Sequence, residues 1–146
     1  AALARTGDLY AVPSVAEQVL RINGTGGVSL LPAAGLNGSE FKYSATVVGL
    51  DGLVYGVPAS ATAVVRIDPE VGAITFFGDV GTRRFKWSHG VLAGDGRIYG
   101  VPGTASSVLR IDPYAQSVGV LPGDPLVGGL QKWVCGVLAP GGEIYG

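Results

Sequence analysis

A basic side chain followed by an aromatic one recurs three times: Phe41-Lys42-Tyr43, Phe85-Lys86-Trp87 and Gln131-Lys132-Trp133. An ammonium beside a large ring suits two kinds of work. As a binding rim, Lys42, Lys86 and Lys132 would offer positive charge to an acidic partner, while Tyr43, Trp87 and Trp133 would stack on a sugar or an apolar side chain. As packing, the rings would wedge between repeated units and the lysines would merely solvate the edge. Both readings stand at this point, and the packing one is the simpler.

Other chemistry-bearing residues also recur. Tyr10, Tyr55, Tyr99 and Tyr145 fall once per repeat, as expected of packing residues whose hydroxyls reach a backbone carbonyl. Arg21, Arg66 and Arg110 are each followed two residues on by Asn23, Asp68 or Asp112. A two-residue step keeps side chains on one strand face, so a local ion pair or hydrogen bond is expected within each pair. His89 and Cys135 are the only histidine and cysteine. They cannot form an internal disulfide or a zinc site of the usual kind, and neither has an identified catalytic partner. Asp51, Asp68, Asp95 and Asp112 occupy predicted turns, so no set of carboxylates is expected to converge on a metal, and no cofactor is implied. Asn23-Gly24-Thr25 and Asn37-Gly38-Ser39 fit the glycosylation triplet, which matters only in a secreted chain. Arg83-Arg84 beside Phe85 is a single basic-aromatic loop, too small a patch to indicate nucleic acid on a chain of net charge −1.

The elements that must position these groups repeat as well. Gly7-Asp8-Leu9-Tyr10-Ala11-Val12-Pro13 returns as Gly52-Leu53-Val54-Tyr55-Gly56-Val57-Pro58 and as Gly96-Arg97-Ile98-Tyr99-Gly100-Val101-Pro102, then starts again at Gly142. The spacings are 45, 44 and 46 residues. A second block keeps phase at Val19 to Asn23, Val64 to Pro69 and Val108 to Pro113. The units are therefore 7–51, 52–95 and 96–141, with a further one beginning at 142–146. Each holds four short apolar runs bounded by Gly, Pro, Asn or Asp, which predicts four strands. In the third unit these are Ile98 to Val101, Ser107 to Ile111, Ser117 to Leu121 and Cys135 to Leu138. The turns Asp51-Gly52, Asp95-Gly96 and Gly141-Gly142 tolerate the positive φ of hairpins, so the strands should be antiparallel. No helical period is present.

Four-stranded antiparallel units of this length are the size of β-propeller blades. Composition agrees: charged residues make up 14% of the chain, as expected if most strands are covered on both faces. Glycine, at 25 of 146 residues, fits close backbone approach around an axis. The fold class is thus all-β, a propeller segment of about three blades. Three units and a fragment do not close a ring of about four to eight blades. Further blades, a second copy in a homo-oligomer, or an open stack lying against a protein partner would each cover the exposed ends. No stretch is apolar and long enough for a membrane-spanning helix.

The segments Asp95 to Pro102, Val108 to Pro113 and Lys132 to Ala139 resemble the propeller-like repeat proteins of protists and algae, whose units read Gly-x-Ile-Tyr-Gly-Ile-Pro, Val-Leu-x-Ile-Asp-Pro and Lys-Trp-x-Gly-Gly-Val-Leu-Ala. The pattern is also loosely similar to kelch propellers. The resemblance implies that the strand before the Asp-Gly turn lines the channel, that the Lys-aromatic blocks stand near one channel mouth, and that the role is one of interaction. The expected function is a non-catalytic scaffold or accessory subunit. The alternatives are a carbohydrate-binding propeller in a secreted or lumenal compartment, and part of a metal-dependent hydrolase with its ligands in other blades.

Overall fold

The computed structural model describes residues 1–36 and 40–146, so the second glycosylation triplet, Asn37-Gly38-Ser39, lies outside the described residues. Fourteen strands and no helix are found among the described residues. Blade 1 comprises β1 (Ala2–Leu3), β2 (Leu9–Ala11), β3 (Gln18–Ile22) and β4 (Val28–Pro32). Blade 2 comprises β5 (Tyr43–Val48), β6 (Val54–Pro58), β7 (Val64–Ile67) and β8 (Ile74–Phe77). Blade 3 comprises β9 (Trp87–Leu92), β10 (Ile98–Pro102), β11 (Leu109–Asp112) and β12 (Ser117–Val120). A half blade follows, β13 (Val137–Leu138) with β14 (Ile144–Tyr145). Each sheet is a consecutive antiparallel meander, and the sheets do not close into a ring.

The hydrogen-bonded sheets are phased one strand earlier than the sequence units 7–51, 52–95 and 96–141. The run before each Asp-Gly turn pairs with the strand after that turn, so the fourth strand of a sequence unit is the first strand of the next blade. The turn itself makes this choice. Gly49 N–H donates to Leu53 O at 2.9 Å, Gly52 N–H to Gly49 O at 3.0 Å, and Gly52 takes φ 82°. This is a three-residue hairpin loop, which lets the flanking strands pair directly. β1 contacts β5, β5 contacts β9 and β9 contacts β13, which makes these four the inner strands of the stack.

Blades pack through alternating strand faces. In blade 2, Tyr43, Val54, Val65 and Ile67 face blade 1 and meet Tyr10 and Val19. Its opposite face, Tyr55, Val57 and Val64, meets Trp87, Ile98, Leu109 and Ile111 of blade 3. Every residue of β6 is buried, so a strand with neighbours on both sides has no room for charge. At the inner edge the approach is close enough to require glycine. A Cβ on Gly136 would stand 2.6 Å from Val101 Cγ2, and one on Gly90 would run into the equivalent Val57.

Candidate functional site

The Lys-aromatic blocks lie where the inner strands begin, and their backbone explains how. Phe41, Phe85 and Gln131 occupy equivalent positions with φ of 55°, 56° and 54°. A bulky residue rarely takes this left-handed conformation, and it persists only where surrounding bonds enforce it. Ser60 N–H donates to Phe41 O at 3.0 Å, and Thr104 N–H to Phe85 O at 2.9 Å. The next carbonyl accepts more: Ala59 and Ala61 N–H on Lys42 O, Gly103 and Ala105 N–H on Lys86 O. The loops after Pro58 and Pro102 thereby clamp the entries to their own blades.

The lysines complete the clamp across blades, which corrects the picture of a charged rim. Lys86 N–H donates to Ala59 O at 2.9 Å, and its Nζ donates to Ala61 O and Arg83 O, both at 2.9 Å. Lys42 repeats this on blade 1, with N–H to Ser14 O at 2.8 Å and Nζ to Val15 O at 3.0 Å. Lys132 does so on blade 3, its Nζ reaching Gly103 O at 3.1 Å and Ala105 O at 2.8 Å. Lys42 and Lys86 are only 2% and 3% exposed. Their charge is spent on carbonyls that the loop leaves without donors, so neither solvates an edge nor faces a partner. Burial lowers the Lys86 ammonium to about 8, against an opposing pull from the Asp79 charge.

The rings divide by coverage. Tyr43 and Trp87 are buried wedges, and Trp87 Nε1 donates to Ser107 O at 3.0 Å. Burial pushes the Tyr43 hydroxyl well above its ordinary range. Trp133 is half-buried against the half blade. Between them opens a mouth of about 270 Å³, lined by Phe41, Tyr43, Phe85, Trp87, Gln131 and Trp133. The Phe41 and Phe85 rings lie 5.1 Å apart, tilted by 51°, with Phe41 43% exposed. The Arg84 guanidinium sits 5.5 Å over Phe85, and Arg84 also pairs loosely with Glu40 at 3.7 Å. Ser44 and Ser88 are the extra residues of two equivalent β-bulges that turn the strand at the mouth. The Ser44 hydroxyl donates to Val57 O at 3.3 Å, and the single Ser88 hydroxyl proton goes to Trp133 O at 2.6 Å, with Val101 O 3.3 Å away as the competing acceptor. The mouth is therefore aromatic, with one surface guanidinium, rather than cationic. Phe41, Phe85 and Gln131 were not among the expected rim residues, although their place before each lysine was a usable signal.

The other candidates land in structural roles. Tyr10 OH reaches a carbonyl as expected, Pro69 O at 3.4 Å, whereas Tyr55 and Tyr99 instead donate to Asp51 and Asp95 at 2.6 and 2.9 Å. Blade 1 has Thr6 at the position of those aspartates, hence the different partner. Burial, then the Asp51 bond, raises the Tyr55 hydroxyl well above its usual range. The expected pairing of each arginine with the residue two positions on is not found among the described residues. Arg21 pairs with Asp8 at 2.6 Å, and Asp112 with Arg97 at 3.2 Å, both across strands. Asn23, Asp68 and Asp112 instead turn their side-chain oxygens to the backbone N–H of Thr25, Glu70 and Ala115, because each ends a strand where such a turn is needed. Cys135 is exposed. His89 is half-buried in β9, with Nδ1 enclosed and lacking a hydrogen-bond partner. Among the described residues no three His, Cys, Asp or Glu side chains come together as a metal site, and no helix is long and apolar enough to cross a membrane.

No protein-family model matches the sequence, and a search of the curated proteins returns no match. Solved structures do resemble the chain. An inactive virginiamycin B lyase from Staphylococcus aureus, with quinupristin, superposes with a TM-score of 0.68 at 15% identity, over 82% of this chain and 39% of that one. The extracellular domain of a B. thetaiotaomicron protein gives 0.70 at 16%, over 94% and 17%. Kuenenia stuttgartiensis hydrazine synthase gives 0.69 at 16%, over 96% and 38%. This chain thus spans well under half the length of each, and what it shares with them is the fold of β-propeller proteins.

Proposed function

We propose that the chain is a non-catalytic propeller segment acting as an interaction scaffold or accessory subunit of a larger assembly, with the aromatic mouth as its contact surface. The propeller-like neighbours support the architecture. The observation that carries the reading is the Phe41–Phe85 pair, held in a left-handed conformation at equivalent positions and left partly exposed beside Arg84. Aromatic and arginine side chains presented on a rigid frame are the groups that dominate protein contacts. Kinship with protist and algal repeat proteins belongs to this same proposal.

The test compares wild type with a Phe41→Ser, Phe85→Ser double variant on peptide and glycan arrays, with the fold monitored through buried Trp87. Peptide binding that is lost in the variant supports the proposal, and peptide binding that survives removes the mouth from it. The second reading, carbohydrate recognition, is favoured by the tilted ring pair and half-buried Trp133, which offer stacking faces. Glycan binding that ignores salt and vanishes in the same variant would establish it over the first. The metal-dependent hydrolase reading requires ligands beyond those described, and metal analysis of unchelated protein decides it.

A further inference from the structure

Arg83 and Arg84 are the one pair of adjacent basic residues in the chain, and the structure ties the backbone beneath them inward. Lys86 Nζ donates to Arg83 O at 2.9 Å, Thr104 Oγ1 donates to Arg84 O at 2.8 Å, and Phe85 N–H donates to Ser60 Oγ at 3.3 Å. Lys86, Thr104 and Ser60 are all buried, so the frame that carries the two arginines is shielded from water. The arginines themselves are exposed, and the Arg84 guanidinium stands 5.5 Å over Phe85 at the rim of the aromatic mouth. The neighbouring acids do not neutralise them. Asp79, whose charge is felt at Lys86, turns Oδ1 to Gly81 N–H at 2.9 Å, and Glu40, 70% exposed, reaches Arg84 only at 3.7 Å. A solvated ion pair of that kind contributes little, so a second carboxylate displaces it at small cost. Three cations, Lys86, Arg83 and Arg84, therefore stand against two acids beside a hollow lined by Phe41, Phe85 and Trp133.

We infer that the mouth takes an acidic linear peptide, with an aromatic anchor in the hollow and an Asp or Glu carboxylate on the Arg83 and Arg84 guanidiniums. This rests on the mouth being a protein-contact surface and adds the charge and spacing of the partner. The hollow, about 270 Å³, has room for one large side chain rather than a folded domain. The Phe41 and Phe85 rings are 5.1 Å apart and Arg84 lies 5.5 Å from the nearer one. At about 3.4 Å per extended residue, the acid falls within about three residues of the anchor. Arginine suits the task because its planar fork meets a carboxylate through two parallel bonds.

The test probes an immobilised array of heptapeptides with a fixed central Phe, all other positions varied and phosphoserine included, with the intact protein. Binding is read at about 0.1 M and about 1 M salt, where the screening length falls from about 10 to about 3 Å. Asp and Glu should be selected over Lys and Arg by at least about tenfold within three residues of Phe, and the selection should collapse at high salt. An Arg83→Glu, Arg84→Glu variant should reverse it. Both side chains are exposed, and if that variant melts early, Arg83→Gln with Arg84→Gln decides by losing the preference without reversing it. Peptides captured without charge preference, with a basic preference, or with an acidic one that survives both variants would overturn the inference and leave the mouth as a contact surface. Phosphoserine selected about tenfold over Asp and Glu would overturn it in favour of a phosphopeptide. Capture of no peptide would remove both the inference and the reading beneath it.

Discussion

Replacing Lys86 by Met removes an ammonium that serves two carbonyls from inside the blade 1–blade 2–blade 3 stack. At neutral pH two opposed effects meet. Ala61 O and Arg83 O each lose a charge-assisted bond, about 1.5 to 3 kcal/mol apiece. Against this, the fold no longer holds a cation whose burial lowers its pKa from 10.5 to about 8, a cost of order 3 kcal/mol. The net loss at pH 7 should be about 0 to 3 kcal/mol. The pH dependence is the sharper quantity. Between about 8 and 10.5 the unfolded chain keeps a proton that the native lysine has released, so wild-type stability rises with pH in that window. The neutral amine still has two donors for its two carbonyls. From pH 7 to 9.5 the linkage integral gives wild type about 2 kcal/mol, and the Met variant none of it. Urea unfolding followed by tryptophan emission at both pH values should therefore show the gap between the proteins widening by about 2 kcal/mol. A gap that stays constant would refute the claim that Lys86 is a buried, desolvated staple. Above pH 10 the raised hydroxyls of Tyr43 and Tyr55 work the other way: the native state then holds protons the unfolded chain has lost, so stability should fall.

Asp51→Ala strands the Tyr55 hydroxyl and the Leu53 N–H, and should cost about 1 to 3 kcal/mol by denaturant titration. Asp95→Ala should cost less, because water can replace the acceptor for half-exposed Tyr99. Gly90→Ala drives a methyl into Val57 and should destabilise by about 1 to 3 kcal/mol, while adding Val57→Ala should make the pair cheaper than the sum of the singles in a double-mutant cycle. His89→Leu removes a ring nitrogen enclosed without a partner, so melting should be unchanged or raised; a marked loss would mean that Nδ1 has a partner in solution.

Periodicity made the blades legible because each strand must present one apolar face to each neighbour, and that demand writes itself into Val54, Val65 and Ile67 and again into Ile98, Leu109 and Ile111. Sheet phase was not legible. A repeat unit has no marked beginning, and only the three-residue loop at Gly49 to Leu53 decides that β5 pairs with β6. The lysines misled for a related reason. All three in the chain sit in the Lys-aromatic block, and sequence shows their charge but not the carbonyls of the preceding blade that consume it. Asp51 and Asp95 fall in turns as expected, while Asp112 is the last residue of β11; the tyrosine partners follow from the four-residue offset between Asp51 and Tyr55 across a hairpin, a distance the sequence does not convert into a contact.

The recurring tyrosine shows how far one blade's energetics depend on the next. Tyr10 and Tyr55 are fully buried, Tyr99 is half-exposed, and Tyr145 is 61% exposed, although all four occupy the same repeat position. Nothing intrinsic to the residue changes along the series; what changes is how many strands follow. Stability in such a stack resides in interfaces between neighbours as much as in the units themselves.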